Sequence, residues 1–399
     1  MKLQLFTSII VLFCLPLAQG NEPVFMVRDK LGTVSTGTIE RWTTAVQMEM
    51  VSAEGQNITI NNPVYLSRKN SFVPSFPDNN TLWLINDDCL RFTNLLMKED
   101  RFEFESPGIY SEANARLSVP LIDTKLIWVK QPLGVLNPEV FRSKLLVELR
   151  IKDALVFNNG ERVEGVLESL DAKNLSLDNG VAKSQFKVDS VGVIGLSQDD
   201  NVKKEKKNGA ITLIMTSGSR ITLAEFSLSK GMIEGKNMQG LAVKVSLEKV
   251  EHAVVFHKNA IRITELKNIK VTRSPFFSDP IVYNLLLSNS FSDFLSSGAS
   301  HSHGFSTLGN STFSIPLEGK FQRICGEFGF DNLDGRRGRA DVKIIQDGKT
   351  VKQWLGSSWK DGPQYFNIPL ADAKELTVVI ETSPGSKINW CECLLFKSD

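Results

Sequence analysis

The sequence predicts a mostly β protein, with small β-sheet units in series followed by a β-sandwich at the C-terminal end. Three observations carry this reading. Short segments rich in β-branched residues recur between turn residues, as in Ala210-Ile211-Thr212-Leu213-Ile214-Met215 and Leu376-Thr377-Val378-Val379-Ile380. A turn-and-strand plan returns along the first two thirds of the chain. In the last third, apolar and polar residues alternate at period two, the mark of strands with one buried face.

The chain opens with a leader. Lys2 supplies a positive start, Leu3 to Leu17 is mostly apolar, and Ala18-Gln19-Gly20 has the small-x-small form of a cleavage site. The apolar run is too short to span a bilayer. Residues 1–20 therefore read as a signal peptide, cleaved before Asn21, and no later stretch is long and apolar enough to form a transmembrane segment. The expected location is secreted, periplasmic or at the cell surface. Export permits disulfides. Cys325 could join Cys391 or Cys393, or these three and Cys89 could all be buried thiols.

A length of 399 residues suggests roughly two or three domains. The net charge of +1 gives no long-range attraction for nucleic acid or an anionic membrane. Lys203 to Lys207 is the one dense basic run and reads as a solvated loop.

The turn-and-strand plan is clearest over residues 151–267. One copy reads Phe157-Asn158-Asn159-Gly160 and later Val188-Asp189-Ser190-Val191-Gly192-Val193-Ile194. A second reads Met215-Thr216-Ser217-Gly218 and later Val245-Ser246-Leu247-Glu248-Lys249-Val250. Residues 21–136 hold two weaker copies. One runs from Leu84-Ile85-Asn86-Asp87 to Leu121-Ile122-Asp123-Thr124, and a fainter one starts near Gly32. Asn-Gly and Ser-Gly pairs suit hairpins, and such short units suit small SH3-like barrels that pack on their neighbours. The alternative is one large antiparallel sheet with similar hairpins. Between the two regions, residues 137–150 read as a connecting helix. Asn137 caps it, Pro138 takes the first helical position, and Phe141, Leu145 and Leu149 share a face.

Residues 268–399 read as the sandwich, in jelly-roll form. Phe313, Ile315 and Leu317 alternate with Ser314 and Pro316, and Ile324, Gly326 and Phe328 with Cys325 and Glu327. Asp347-Gly348 is a hairpin turn between Val342–Ile345 and Val351–Trp354.

Here a resemblance to a known family enters. Residues from about 271 to 399 resemble the NPCBM domain, a carbohydrate-binding module with a galactose-binding-like jelly-roll fold. Leu317-Glu318-Gly319-Lys320-Phe321, Ile324 and Phe328-Gly329-Phe330-Asp331-Asn332 are similar to the family's L-x-G-x-F/Y and V-G-x-D-D stretches. Asp347-Gly348-Lys349 matches its Asp-Gly turn, and Asn389-Trp390-Cys391-Glu392 with Leu395 its closing D/N-W-A-D motif. Three positions depart from the pattern. Leu308 stands for a His, Asn332 for the second Asp and Glu392 for the closing Asp. They keep the framework and alter polar positions. The preceding units resemble β-rich regions that accompany such modules in exported bacterial proteins.

The resemblance implies an exported, non-catalytic protein whose C-terminal module binds a carbohydrate or glycan. Sugars stack their C–H faces on aromatic rings and offer hydroxyls to planar polar groups. The ligand-binding candidates are Trp359, Asp331, Asn332, Arg336, Trp390 and Glu392. Trp359 follows Gly356-Ser357-Ser358 and should sit on a loop, whereas Trp390 ends an apolar strand and suits a core equally. Arg337 and Arg339 could join Arg336 on an acidic glycan. No cofactor is expected. Asp331, Asn332 and Asp334 beside Gly335 could hold calcium, although turn chemistry alone accounts for them. His301 and His303 lack further ligands nearby and read as loop residues, and His252 and His257 as residues of a sheet surface.

Catalysis has little support. The sequence contains no nucleophile elbow, Walker loop, zincin helix or dinucleotide fingerprint. Two other readings stay open. One is a structural or interaction protein of the cell envelope with a protein partner. The other is a glycoside hydrolase whose two carboxylates would face each other between the units and the sandwich.

Overall fold

The computed structural model describes residues 22–397, apart from 72, 75, 112–115, 137, 149, 199–207, 267, 275–293, 297–298, 302–303, 332–337 and 384–385. The leader lies outside the described residues. Strands dominate. The one α-helix among the described residues is Pro138–Val147.

The first two thirds form an N-terminal assembly in which one strand arrangement recurs over four segments. In each, the first strand pairs antiparallel with both the second and the last. Val24–Asp29 lies between Val34–Thr44 and Pro63–Arg68. Thr81–Leu84 lies between Cys89–Arg91 and Thr124–Trp128. Asp153–Phe157 lies between Arg162–Leu170 and Val191–Gly195. Ile211–Met215 lies between Arg220–Ser229 and Val250–Val255. That order bends a short sheet toward a small barrel. A tight turn leaves the first strand each time. Gly32, Asp87, Gly160 and Gly218 take positive φ of 85°, 70°, 87° and 81°. Their N–H groups donate to the carbonyls of Asp29, Leu84, Phe157 and Met215. Glycine and aspartate are the residues that tolerate this backbone region. Three of the final strands follow directly on a 3-10 turn, at Leu121–Asp123, Val188–Ser190 and Leu247–Lys249.

The segments join through their last strands, and not in chain order. Pro63–Arg68 of the first pairs with Val250–Val255 of the fourth, and Thr124–Trp128 of the second with Val191–Gly195 of the third. One continuous core runs through all four, from Phe25 and Trp42 to Val250 and Val255. The helix covers the seam between the second and third segments. Leu145 and Phe141 pack there with Phe76, Trp83 and Trp128, and the buried Arg142 guanidinium lies 5.3 Å from the Phe76 and Trp83 rings.

The C-terminal region is a two-sheet sandwich. One sheet centres on Lys387–Lys397, which pairs with Phe321–Phe330 on one side and with Gly304–Leu308 and Ala260–Arg262 on the other. Gln364–Pro369 completes it beyond Phe321–Phe330. The second sheet runs Lys270–Ser274, Asn310–Pro316, Glu375–Thr382, Arg339–Gln346, Lys349–Ser358. The sandwich thus already takes in Ala260–Arg262. Trp390 is the hub between the sheets. Its ring lies 5.1 Å from Phe328, 5.4 Å from Phe313, 5.9 Å from Phe305 and 6.0 Å from Phe366. Asp347 and Gly348, at φ 46° and 80°, turn the hairpin between Arg339–Gln346 and Lys349–Ser358.

The alternation at Ile324–Phe328 predicts an outward face for Cys325 and Glu327, and the structure corrects it. Both are buried, because this face of the sheet docks on the N-terminal assembly. Cys325, Leu394 and Phe396 pack with Val64, and Arg28 Nη1 lies 2.8 Å from the Glu327 carboxylate. Asn367 Nδ2 donates to the Leu31 carbonyl at 2.5 Å. Gly32 has a second constraint here, since a Cβ would come within 2.1 Å of the Tyr365 ring. The four cysteines among the described residues are free and buried.

Candidate functional site

The open end of the sandwich lies where Lys349–Ser358 runs out. A 3-10 turn, Trp359–Asp361, follows directly. The Asp361 carboxylate accepts hydrogen bonds from Ser358 N at 2.6 Å and Ser358 Oγ at 3.1 Å. Gly362 turns the chain at φ 71°, and Gln364 Nε2 donates to the Asp361 carbonyl. This local closure fixes the backbone under Trp359, whose side chain stays 45 % exposed, with Lys360 Nζ 6.0 Å from the ring. Trp354, five residues earlier, is half-buried, with its ring edge-on to Phe328 at 4.9 Å. It belongs to the sandwich core on that side.

Ser358 pairs with Arg339, so the exposed Arg339 reaches the same end as Trp359. Arg339 N donates to Ser383 Oγ at 2.9 Å. The strand beneath is an edge strand, and Leu355 on it is 62 % exposed. Sequence reading missed Leu355. The available signal was a large apolar residue next to Gly356 in a strand that ends its sheet.

The other named residues have different places. Asp331 is buried where the sheet ends. Its carboxylate accepts from Asn389 Nδ2 at 2.9 Å and lies 3.3 Å from Lys387 Nζ, while Asn389 Oδ1 accepts from Ser306 Oγ at 2.6 Å. Asp331 is therefore fixed in place at the end of its strand. Asn332, Arg336 and Arg337 lie outside the described residues, as do Asp334, Gly335 and His303. The calcium expectation falls mainly on those residues. Among the described residues, no group of three or more His, Cys, Asp or Glu side chains could hold a metal.

Trp390 is 1 % exposed, inside the aromatic core, and offers no outer face. Glu392 is 6 % exposed and sits at a bulge with φ 47°, where Cys391 faces Glu327 and Leu394 faces Cys325. It is turned toward the N-terminal assembly. Burial first, then the charges of Glu392 and Glu327, push the Tyr65 hydroxyl well above its ordinary pKa. The structure thus brings Asp331 and Asn389 together but leaves Glu392 apart from Trp359. His252 is buried rather than on a sheet surface, and His257 is part-exposed beyond the end of its strand. Tyr65 Oη lies 2.7 Å from Nδ1 of the buried His252, and His257 Nε2 donates to the Pro63 carbonyl at 2.8 Å. Both fill the seam between the first and fourth segments.

A second concavity opens where the first segment, the fourth segment and the sandwich meet. It encloses about 660 Å³. Lys30, Lys258, Arg323 and Lys397 line it with the Phe226 and Phe256 rings. Among its described lining residues the one carboxylate is Glu225, which is paired with Lys236 at 3.4 Å.

A CBM51 module from a Clostridium perfringens GH95 protein, solved with methyl-galactose, is 13 % identical. It covers 34 % of this chain and 99 % of its own, at a TM-score of 0.27. The tandem CBM51 modules of a Streptococcus pneumoniae family 98 glycoside hydrolase are 10 % identical. They cover 80 % of this chain and 88 % of theirs, at a TM-score of 0.30. No curated protein matches the chain. The family model of the NPCBM/NEW2 domain matches residues 288–394. That span contains the sandwich's aromatic hub, its Asp331–Asn389 anchor and the Trp359 turn, so the C-terminal sandwich carries an NPCBM/NEW2 domain.

Proposed function

We propose that the protein is exported and non-catalytic and that its C-terminal sandwich binds carbohydrate at the Trp359 end. The observation that carries this reading is the NPCBM/NEW2 match over residues 288–394. The solved CBM51 module in complex with methyl-galactose is in keeping with it. Trp359 supplies a half-exposed aromatic surface for the C–H face of a sugar, and Arg339, Ser383 and Gln364 supply hydroxyl partners nearby. Asp331, buried and bonded to Asn389, has a positioning role in this reading. Asn332 and Arg336 are the further contacts we assign. Among the described residues no helix is long and apolar enough to cross a membrane.

The lining of the junction cleft supports binding over hydrolysis. Glycoside hydrolysis uses a pair of carboxylates facing across the scissile bond, whereas among the described residues each carboxylate lining the junction is paired with a cation, Glu225 with Lys236, Asp87 with Lys125 and Glu265 with Arg262. A glycan-array screen of the full chain, followed by calorimetry, tests the proposal. Binding of a saccharide by the native chain, weakened at least about tenfold by Trp359→Ala with an unchanged melting curve, is the expected result. Failure of every saccharide to bind would sink it. Envelope extract that yields a stoichiometric protein partner instead would favour the interaction role.

A further inference from the structure

We propose that the cleft at the three-way junction is a second binding site, for an anionic saccharide bearing carboxylate or sulfate groups. It goes beyond the Trp359 reading and shares no residue with it. Three parts of the chain build the cleft. Lys30 and Asn62 come from the first segment, Phe226 and Lys258 from the fourth, and Arg323 and Lys397 from the sandwich. Its volume of about 660 Å³ falls within the usual range for small-ligand sites.

Charge is the first reason. Lys30, Lys258 and Lys397 line one concavity and make no ion pair among the described residues. Arg323 is held in place by Nη1 donating to Asn367 Oδ1 at 2.6 Å, which leaves its charge uncompensated. Glu225, the carboxylate among the described lining residues, is paired with Lys236. Like charges gathered at low-dielectric walls attract counter-charge from solution. The N-terminal assembly holds Lys30 at this spot through its backbone, whose N–H donates to the Asn62 carbonyl at 3.0 Å.

Shape and polarity are the second reason. Phe226 packs edge-on to Trp42 at 5.0 Å, and Phe256 lies under the Arg262 guanidinium at 4.3 Å. Both rings are fixed, and both remain part-exposed in the cleft. Rigid aromatic surface beside side-chain amides suits a sugar ring. Asn62, Asn208, Asn259 and Gln322 provide the amides. His257 adds an acceptor. Its Nε2–H is used by the Pro63 carbonyl, so Nδ1 is free of a proton in the neutral ring. Burial holds the His257 pKa below its ordinary value, so the ring is neutral near pH 7.

The test titrates the full chain by calorimetry with three probes: trigalacturonic acid, a sulfated galactan oligomer of similar length, and neutral galactotriose. One or both anionic probes should bind. Binding should weaken with added salt as the Debye length shortens. The double variant K30A/K258A changes side chains outside both cores, so it should fold and lose about tenfold or more in affinity. Trp359→Ala should leave this binding unchanged. The two anionic probes separate a carboxylate from a sulfate ligand. Failure of both to bind, equal binding by K30A/K258A, or equal binding of the neutral trisaccharide at this cleft would each overturn the proposal. Loss of neutral-sugar binding in Trp359→Ala tests the other site alone, so either reading can fail without the other.

Discussion

The N-terminal assembly and the C-terminal sandwich are both antiparallel β structure, yet they bury their strands differently. Sandwich strands such as Asn310–Pro316 and Arg339–Gln346 alternate buried and accessible residues. Strands at the seams of the assembly, Val191–Gly195 and Ile211–Met215, are buried at every position. The cause is topological. A strand of the outer sandwich sheet has one face on a shared core, while a seam strand has a core on one side and a neighbouring segment on the other. The sandwich can hold itself together with two sheets. The assembly holds together because its last strands pair across segments.

The largest test of that contrast removes a hub from each region. Trp390→Ala empties the aromatic centre of the sandwich and should cost about 3–5 kcal/mol, and Leu213→Ala should cost about 2–5 kcal/mol in the assembly. Denaturant unfolding followed region by region should show each loss mainly where the residue sits. If Leu213→Ala lowered both regions equally, the sandwich would depend on the assembly, and the contrast would fail.

A smaller effect is expected at the boundary. Arg28 comes from the first segment and Glu327 from the sandwich, and Glu327 is 3 % exposed. Burial is the largest single influence on the Arg28 pKa and lowers it, but the Glu327 charge and hydrogen bond, with smaller contributions from Tyr365 and Cys325, together outweigh it, and the net shift is upward. Arg28→Ala would leave a buried carboxylate without its main counter-charge, a loss of about 3 kcal/mol. The loss should fall on docking rather than on either core. Calorimetric melting should then show the transitions of the two regions further apart than in the native chain. A single undivided transition in Arg28→Ala would show that other contacts carry the junction.

This contrast also explains what the sequence made legible. Period-two alternation at Phe313, Ile315 and Leu317 marked the sandwich, because those strands have one wet face. The same rule misread Cys325 and Glu327, whose outer face is covered by residues far earlier in the chain, including Arg28 and Val64. No local pattern encodes that cover. In the assembly, Gly160 and Gly218 announced their turns by composition. Asp87 makes the same hydrogen bond at φ 70° without a glycine, so its turn is fainter in sequence than in space. At the candidate site, Trp359 was readable from its flanking Gly and Ser residues. Glu392 was not, because a motif position carries no sign of which side of a bulge it faces. The junction cleft was invisible, since its cations come from three distant stretches of chain.

The finest comparison uses the thiols. Cys89 lies in the assembly, and Cys325, Cys391 and Cys393 lie in the sandwich near the junction. Burial pushes Cys89 and Cys325 up to about 12, and Cys391 and Cys393 well above the ordinary range. An unfolded thiol ionises near about 8.5. Above that pH the unfolded chain has released protons that the folded chain still holds. Stability is therefore complete below about pH 8.5 and falls as pH rises toward about 12. Each thiol contributes a slope of about 1.4 kcal/mol per pH unit in that window. Three such thiols act on the sandwich and one on the assembly, so the sandwich should weaken more steeply. Pulse labelling of each cysteine along a urea series, at about pH 8 and about pH 10, reads both slopes in one sample. Equal slopes would mean that the regions unfold as one unit, with the Arg28–Glu327 junction binding them more tightly than their separate cores require.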